Sequence, residues 1–179
     1  MDDLRSAPVP PLAADDHVRG AADARLVIVY GDFTCPRCAL AAERLRDLPL
    51  RVAFRHFALR TKHPRAVALA LAAEAAGIQG RFWEMHDALY AGPGLFDDPH
   101  VWERAERLGL DIDRFEADRR ADGPAAKVAR QLRDGMRAGV ALTPTLFVDG
   151  VGYPGPPDAA LLARLAGDAG RSSSMVGFG

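Results

Sequence analysis

Two cysteines, three positions apart, constrain this chain more than any other feature. Cys35-Pro36-Arg37-Cys38 contains both cysteines of its 179 residues. The pair lies at a seam between two patterns. Before it, Leu26-Val27-Ile28-Val29-Tyr30 is short, apolar and β-branched, which predicts a buried strand broken by Gly31 and Asp32. After it, Ala39, Leu40, Ala41, Ala42, Leu45 and Leu48 recur at helical spacing, with Glu43, Arg44, Arg46 and Asp47 on the other face. Pro36 suits a first helical position, where its missing N–H costs nothing. Cys35 is therefore expected at a helix N-terminus, with Cys38 one turn in on the same face.

Unpaired N–H groups and the helix dipole favour an anion at that point. A thiol there ionises more readily than a free cysteine, and thiolate is the reactive form. Arg37 adds a fixed positive charge beside it. The pattern favours a redox dithiol in which Cys35 attacks and Cys38 resolves. Half of a zinc site and incidental cysteines are the alternatives. A zinc site needs two further ligands, yet there is no second cysteine pair, and the histidines (17, 56, 63, 86 and 100) show no His-x3-5-His spacing. The expectation is no metal and no cofactor beyond the Cys35–Cys38 disulfide itself.

Length suits one domain, or a domain with a large insertion. The 23 basic and 24 acidic side chains leave a formal net charge of −1, which points away from nucleic acid and anionic membranes as partners. No apolar run approaches the ~20 residues needed to span a bilayer. Met1-Asp2-Asp3-Leu4-Arg5 is acidic and lacks the apolar stretch of a secretory signal. Taking Met1 as the natural start, a cytoplasmic protein is expected, although a trimmed export signal would leave no trace. In that compartment a disulfide is more often transient and catalytic than structural.

Along the chain, residues 1–16 carry Pro8, Pro10 and Pro11 and read as an extended or disordered lead. Residues 17–20 suggest a short edge strand, with His17 at the surface. The first core strand covers about 25–30 and the CxxC helix about 36–48. Leu50 to Phe57 alternates, predicting a second strand parallel to the first, with His56 inward as a buried, hydrogen-bonded structural residue. Helices follow: Pro64–Ala76 stopped by Gly77; Arg81–Tyr90, with Phe82, Met85 and Leu89 beside a second stripe of Trp83, His86 and Tyr90 read as core packing; one capped by Asp98; a short one opened by Asp113 with Glu116; and one from Asp122 carrying Val128, Leu132 and Met136 to a stop at Gly139. Thr143 to Val148 predicts a third strand, Asp149-Gly150 a hairpin turn and Val151–Tyr153 a fourth strand. A final helix follows Pro156-Pro157-Asp158, and residues 168–179 read as a flexible tail.

The order β-α-β, helical block, β-β-α predicts an α/β fold, a central mixed sheet flanked by helices. The gap between the second and third strands far exceeds the dozen or so residues that one crossover needs. Residues 60–139 are therefore expected as an inserted all-helical subdomain of four or five helices, with 17–59 and 140–167 forming the sheet domain.

With these elements in place, the chain resembles the DsbA-like branch of the thioredoxin superfamily over about residues 17–165. The resemblance is carried by Tyr30-Gly31-Asp32-Phe33-Thr34-Cys35-Pro36-Arg37-Cys38, Arg55-His56-Phe57, Arg81-Phe82-Trp83-Glu84-Met85-His86-Asp87, and Gly139-Val140 followed by Thr143-Pro144-Thr145-Leu146-Phe147-Val148-Asp149-Gly150. It implies a thioredoxin-like fold and a thiol-disulfide oxidoreductase acting on protein or peptide thiols and disulfides, with an unidentified recycling partner. It also implies a cis Thr143–Pro144 peptide facing the cysteines, so that Thr143 and Pro144 join Cys35, Pro36, Arg37 and Cys38 at the site. In trans, Pro144 would merely start an edge strand. One departure stands out. Many members carry a buried acid six positions before the first cysteine, where this chain has Val29; Asp32 is expected nearer the surface. Two other functions fit such a chain: a non-catalytic binding module of the same fold, and a glutathione-adduct isomerase or transferase, whose members often replace one or both cysteines.

Overall fold

The computed structural model describes residues 7–169. The chain runs β1 (His17–Arg19), β2 (Arg25–Gly31), α1 (Pro36–Leu45) and β3 (Leu50–His56). Five helices follow: α2 (Ala66–Ile78), α3 (Phe82–Ala91), α4 (Asp98–Arg107), α5 (Ile112–Asp118) and α6 (Asp122–Arg137). It closes with β4 (Thr145–Val148), β5 (Val151–Pro154) and α7 (Ala159–Ala169). The strands form one sheet in the order β1-β3-β2-β4-β5. β2 and β3 are parallel, with Val27 opposite Val52 and Val29 opposite Phe54; every other pairing is antiparallel. This is the predicted thioredoxin-like α/β fold, and its helical block lies between β3 and β4.

Alternation along the strands divides the core between the two faces of the sheet. Val27, Val29, Val52, Phe54, Leu146 and Val148 pack with Leu45 of α1 and Phe82, Met85 and Leu89 of α3. Ile28, Tyr30, Ala53 and Phe147 pack on the opposite face with Phe57, Ala138 and Val140. β2 is covered on both sides, which is why its sequence is a continuous apolar run rather than an alternating one. α6 lies so close to this second face that a Cβ on Gly135 would sit 2.8 Å from the Phe57 ring and 2.9 Å from the Tyr30 ring.

Several local expectations are corrected. Asp97, not Asp98, caps α4 by accepting the His100 N–H, and Asp98 instead pairs with Arg65 and Arg119. Asp111, not Asp113, caps α5 by accepting the Arg114 N–H. In each case the capping-type residues cluster, and the phase of the helix decides which one caps. α2 runs through Gly77 to Ile78, and the turn comes at Gly80, whose φ is +75°. α1 ends at Leu45, short of Leu48. Met136 is exposed, because Val128, Gln131 and Gly135 form the buried face of α6.

Residues 7–16 form no helix or strand, turn at Ala14-Asp15, and are held in place. The Arg55 guanidinium donates to the carbonyls of Pro10 and Pro11 and pairs with Asp16, and the Ala7 N–H bonds the Arg137 carbonyl. A buried cation on β3 thus orders a segment whose prolines alone suggest only a loose lead. His17 is not a free surface residue. It stacks on Phe82 at 3.5 Å and contacts Glu74 at 2.9 Å. Of the predicted tail, residues 168 and 169 belong to α7, and 170–179 lie outside the described residues.

Candidate redox-active dithiol site

Cys35 occupies the N-cap of α1 in extended backbone conformation (φ −92°, ψ 115°), and Pro36 follows as the first helical residue. The Cys35 carbonyl accepts the N–H groups of Cys38 and Ala39, so the helix starts at the CxxC itself. Both cysteines are free thiols; Cys35 is half-buried and Cys38 is 3% exposed. Cys38 sits between α1 and the sheet, and its sulfur accepts the Asp32 N–H at 3.5 Å.

These surroundings separate the two thiols. A hydrogen bond from the Cys38 thiol, aided by the Thr143 side chain and the backbone N–H groups of Cys38 and Arg37, outweighs burial and lowers the Cys35 pKa to about 5. Burial pushes the Cys38 thiol far up, and the adjoining Cys35 charge adds to it. Cys35 is therefore thiolate at neutral pH while Cys38 keeps its proton. Arg37 contributes to this through its backbone N–H. Its exposed side chain lies over Gly155, where an added Cβ would sit 2.7 Å from Nη2.

The Thr143–Pro144 peptide is cis. It faces the dithiol: the Thr143 carbonyl lies 3.4 Å from the Cys35 sulfur, and the Pro144 carbonyl accepts the Gly155 N–H at 2.7 Å. Cys35 opens into a cavity of about 280 Å³ bordered by Phe57, Leu59, Lys62, His63, Leu142 and Thr143. Pro36 and Arg37, between the two cysteines, are exposed. The six residues singled out in the sequence thus lie around one pair of sulfurs. Asp32 is buried rather than near the surface, because its carboxylate accepts the N–H and hydroxyl of Thr34 and closes the turn before Cys35. Among the described residues no group of three or more histidine, cysteine or acidic side chains is arranged to hold a metal ion.

A family model described as Thioredoxin matches residues 13–165. The chain belongs to the thioredoxin family. In fold, the solved structure of a thioredoxin-like oxidoreductase from Silicibacter pomeroyi is similar, with a TM-score of 0.78 at 24% identity over 89% of this chain and 94% of that one. The thiol-disulfide exchange protein alpha-DsbA2 from Wolbachia pipientis gives a TM-score of 0.77 at 18% identity, with 87% of each chain covered. In sequence, the chain is 41% identical over 167 residues to a Na(+)/H(+) antiporter NhaA 1 from Mycolicibacterium vanbaalenii. That match takes in 87% of this chain and 27% of the antiporter, so this thioredoxin-family chain spans about a quarter of the length of that relative.

His86 has a place beyond the one its helical stripe predicts. The stripe predicts core packing, and His86 is buried, but it also borders the same small cavity as Cys38. The adjacent Asp87, which accepts a hydrogen bond from the His86 ring at 2.7 Å, was the available signal.

Proposed function

We propose that this chain is a thiol-disulfide oxidoreductase that exchanges disulfides with protein or peptide substrates through Cys35 and Cys38. The observation that carries this reading is the unlike placing of the two thiols, Cys35 at the helix mouth open to a groove and facing Thr143, Cys38 enclosed beneath it. From the reduced pair, the Cys35 thiolate attacks one sulfur of a substrate disulfide. A mixed disulfide forms and one substrate thiolate leaves. Cys38 loses its proton and attacks the Cys35 sulfur; the Cys35–Cys38 bond forms and the second substrate thiolate departs. Two electrons pass from the dithiol to the substrate, and the reverse sequence oxidises a substrate dithiol. The disulfide itself is the only cofactor this chemistry needs.

Pro36 and Arg37 shape the helix mouth, and Thr143 and Pro144 hold an extended client segment against Cys35, with backbone pairing as the mode of recognition. The names of the Silicibacter and Wolbachia structures support the exchange reading. The antiporter name belongs to chains several times longer, and we assign redox exchange, not antiport, to the shared segment. Among the described residues no helix is long and apolar enough to cross a membrane. In a reducing compartment, thiol pools would keep such a pair reduced and favour reductase or isomerase work until a recycling partner intervenes.

The test is client capture with a redox titration. Cys38→Ser should accumulate clients tethered at Cys35, and Cys35→Ser should capture none. A stabilised thiolate makes the pair more oxidising than thioredoxin, so the reduction potential should lie above about −270 mV. A potential at or below that value defeats the oxidising assignment. A wild type inert toward insulin, with no tethered client in Cys38→Ser, would instead favour a non-catalytic binding module.

A further inference from the structure

Cys38 must shed a proton before it can attack, and its immediate surroundings oppose this. It is buried, and the strand beneath it presents Val29 rather than an acid. Cys38 does border a cavity of about 20 Å³ between α1, the sheet and α3, a volume that suffices for about one water molecule. Val29, Val52 and Phe54 contribute apolar walls, and the polar groups reaching it are those of His86, Tyr90, Trp83 and Arg19.

His86 is held in one orientation. Its Nδ1 lies 2.7 Å from the Asp87 Oδ1, and Arg19 grips both oxygens of Asp87 at 3.1 and 3.0 Å. The Arg19 guanidinium in turn rests 4.3 Å above the Trp83 ring. An ionised carboxylate only accepts hydrogen bonds, so Nδ1 carries the ring proton of neutral His86. Nε2 is left with its lone pair, and among the described residues no protein group hydrogen-bonds it. Tyr90, the hydroxyl at the cavity, donates to the Asp32 carbonyl at 3.4 Å and also meets the Cys38 side chain, but burial and the neighbouring charges push its pKa well above the ordinary value, so it keeps its own proton and is not the base.

We propose that His86 is the proton acceptor for Cys38, with Nε2 taking the thiol proton across this cavity as Cys38 attacks the mixed disulfide. The inference rests on the exchange reading above. The Cys38 S–H bond breaks, an N–H bond forms on Nε2, and the electron pair left on sulfur makes the Cys35–Cys38 bond while the client thiolate departs. The imidazolium is stabilised by the Asp87 carboxylate, and its proton passes to solvent before the next cycle. Titratable and charged groups reach His86 from every neighbouring element: Arg19 from β1, His56 from β3, Cys38 from α1, and Asp87 and Tyr90 from α3. Burial lowers the His86 pKa against the opposing pull of Asp87, so the ring is neutral and able to accept at neutral pH.

The experiment is stopped-flow reaction of the reduced protein with the aromatic disulfide DTNB. The first phase reports attack by Cys35 and the second reports resolution by Cys38. In His86→Phe and in His86→Gln, the second-phase rate divided by the first should fall by about a hundredfold at neutral pH. The pH dependence of that phase should also move upward, because hydroxide must replace the imidazole. Equal slowing of both phases would show a packing role and overturn the proposal, as would an unchanged ratio. If His86→Phe fails to fold, His86→Gln alone decides. A wild type with a first phase and no second would overturn the exchange reading, and this inference with it.

Discussion

At the residue scale, the chemistry rests on unlike surroundings for two like side chains. Cys35 gains hydrogen bonds that its ionised form prefers, and Cys38 loses the solvent that its ionised form requires. The sign of the pH dependence follows. The folded Cys35 pKa lies below the ~8.5 of a free thiol, so thiolate is fully formed above both values and is lost as pH falls through about 5. Alkylation of Cys35 by iodoacetamide should therefore run near its plateau at pH 7 and titrate with a midpoint of about 5. A midpoint near that of a free thiol would contradict the site geometry. Cys35 and Pro36 were legible in the sequence because a strand-to-helix seam marks them, whereas a proline opening a strand said nothing of the site, and the place of Thr143 and Pro144 came from the family resemblance. The place of His86 was not, because its orientation depends on Arg19, 68 residues away from Asp87 in the chain.

At the scale of elements, α6 shows how a general rule can reverse its sign. Alanine in place of an exposed helical glycine normally adds about 1 kcal/mol of stability. At Gly135 the added methyl would press on Tyr30 and Phe57, two buried rings with no room to retreat. Gly135→Ala should therefore cost about 1–3 kcal/mol in urea denaturation, and a stabilised variant would show that α6 sits farther from the sheet. The order of strands and helices was readable because each carries its own periodicity. Helix ends were less so. Asp97 and Asp98, or Asp111 and Asp113, differ in capping role only through which of them the turn presents to the free N–H groups.

At the scale of the whole molecule, the helical block is fastened to the sheet by a buried polar cluster. Glu74 of α2 lies 2.8 Å from His56 on β3 and 2.9 Å from His17 on β1, and its other oxygen accepts from Lys127 of α6 at 2.9 Å. Burial opposes the charge on Glu74, but these partners outweigh it and hold the carboxyl well below the usual range. The stabilisation is complete above the ordinary carboxylate value and is lost as pH falls through the lowered folded one. Glu74→Ala, which takes the carboxylate from both histidines and leaves Lys127 only the His17 ring 2.8 Å away, should lose about 3–5 kcal/mol, measured by chemical denaturation at neutral pH. A loss under about 1 kcal/mol, the range of a surface pair, would mean that apolar packing alone joins the two parts. No sequence pattern announced this cluster, since its four members come from four separate elements.

The enclosure of Cys38 also fixes a sequence of events. In the proposed exchange only one sulfur can meet a client, so every covalent complex would hang from the same atom, whatever the size of the protein attached. In that exchange, release depends on Cys38 in the first turn of the same helix and never on a second encounter. A large misfolded client and a short peptide should consequently be let go at similar speeds, even where their rates of capture differ widely.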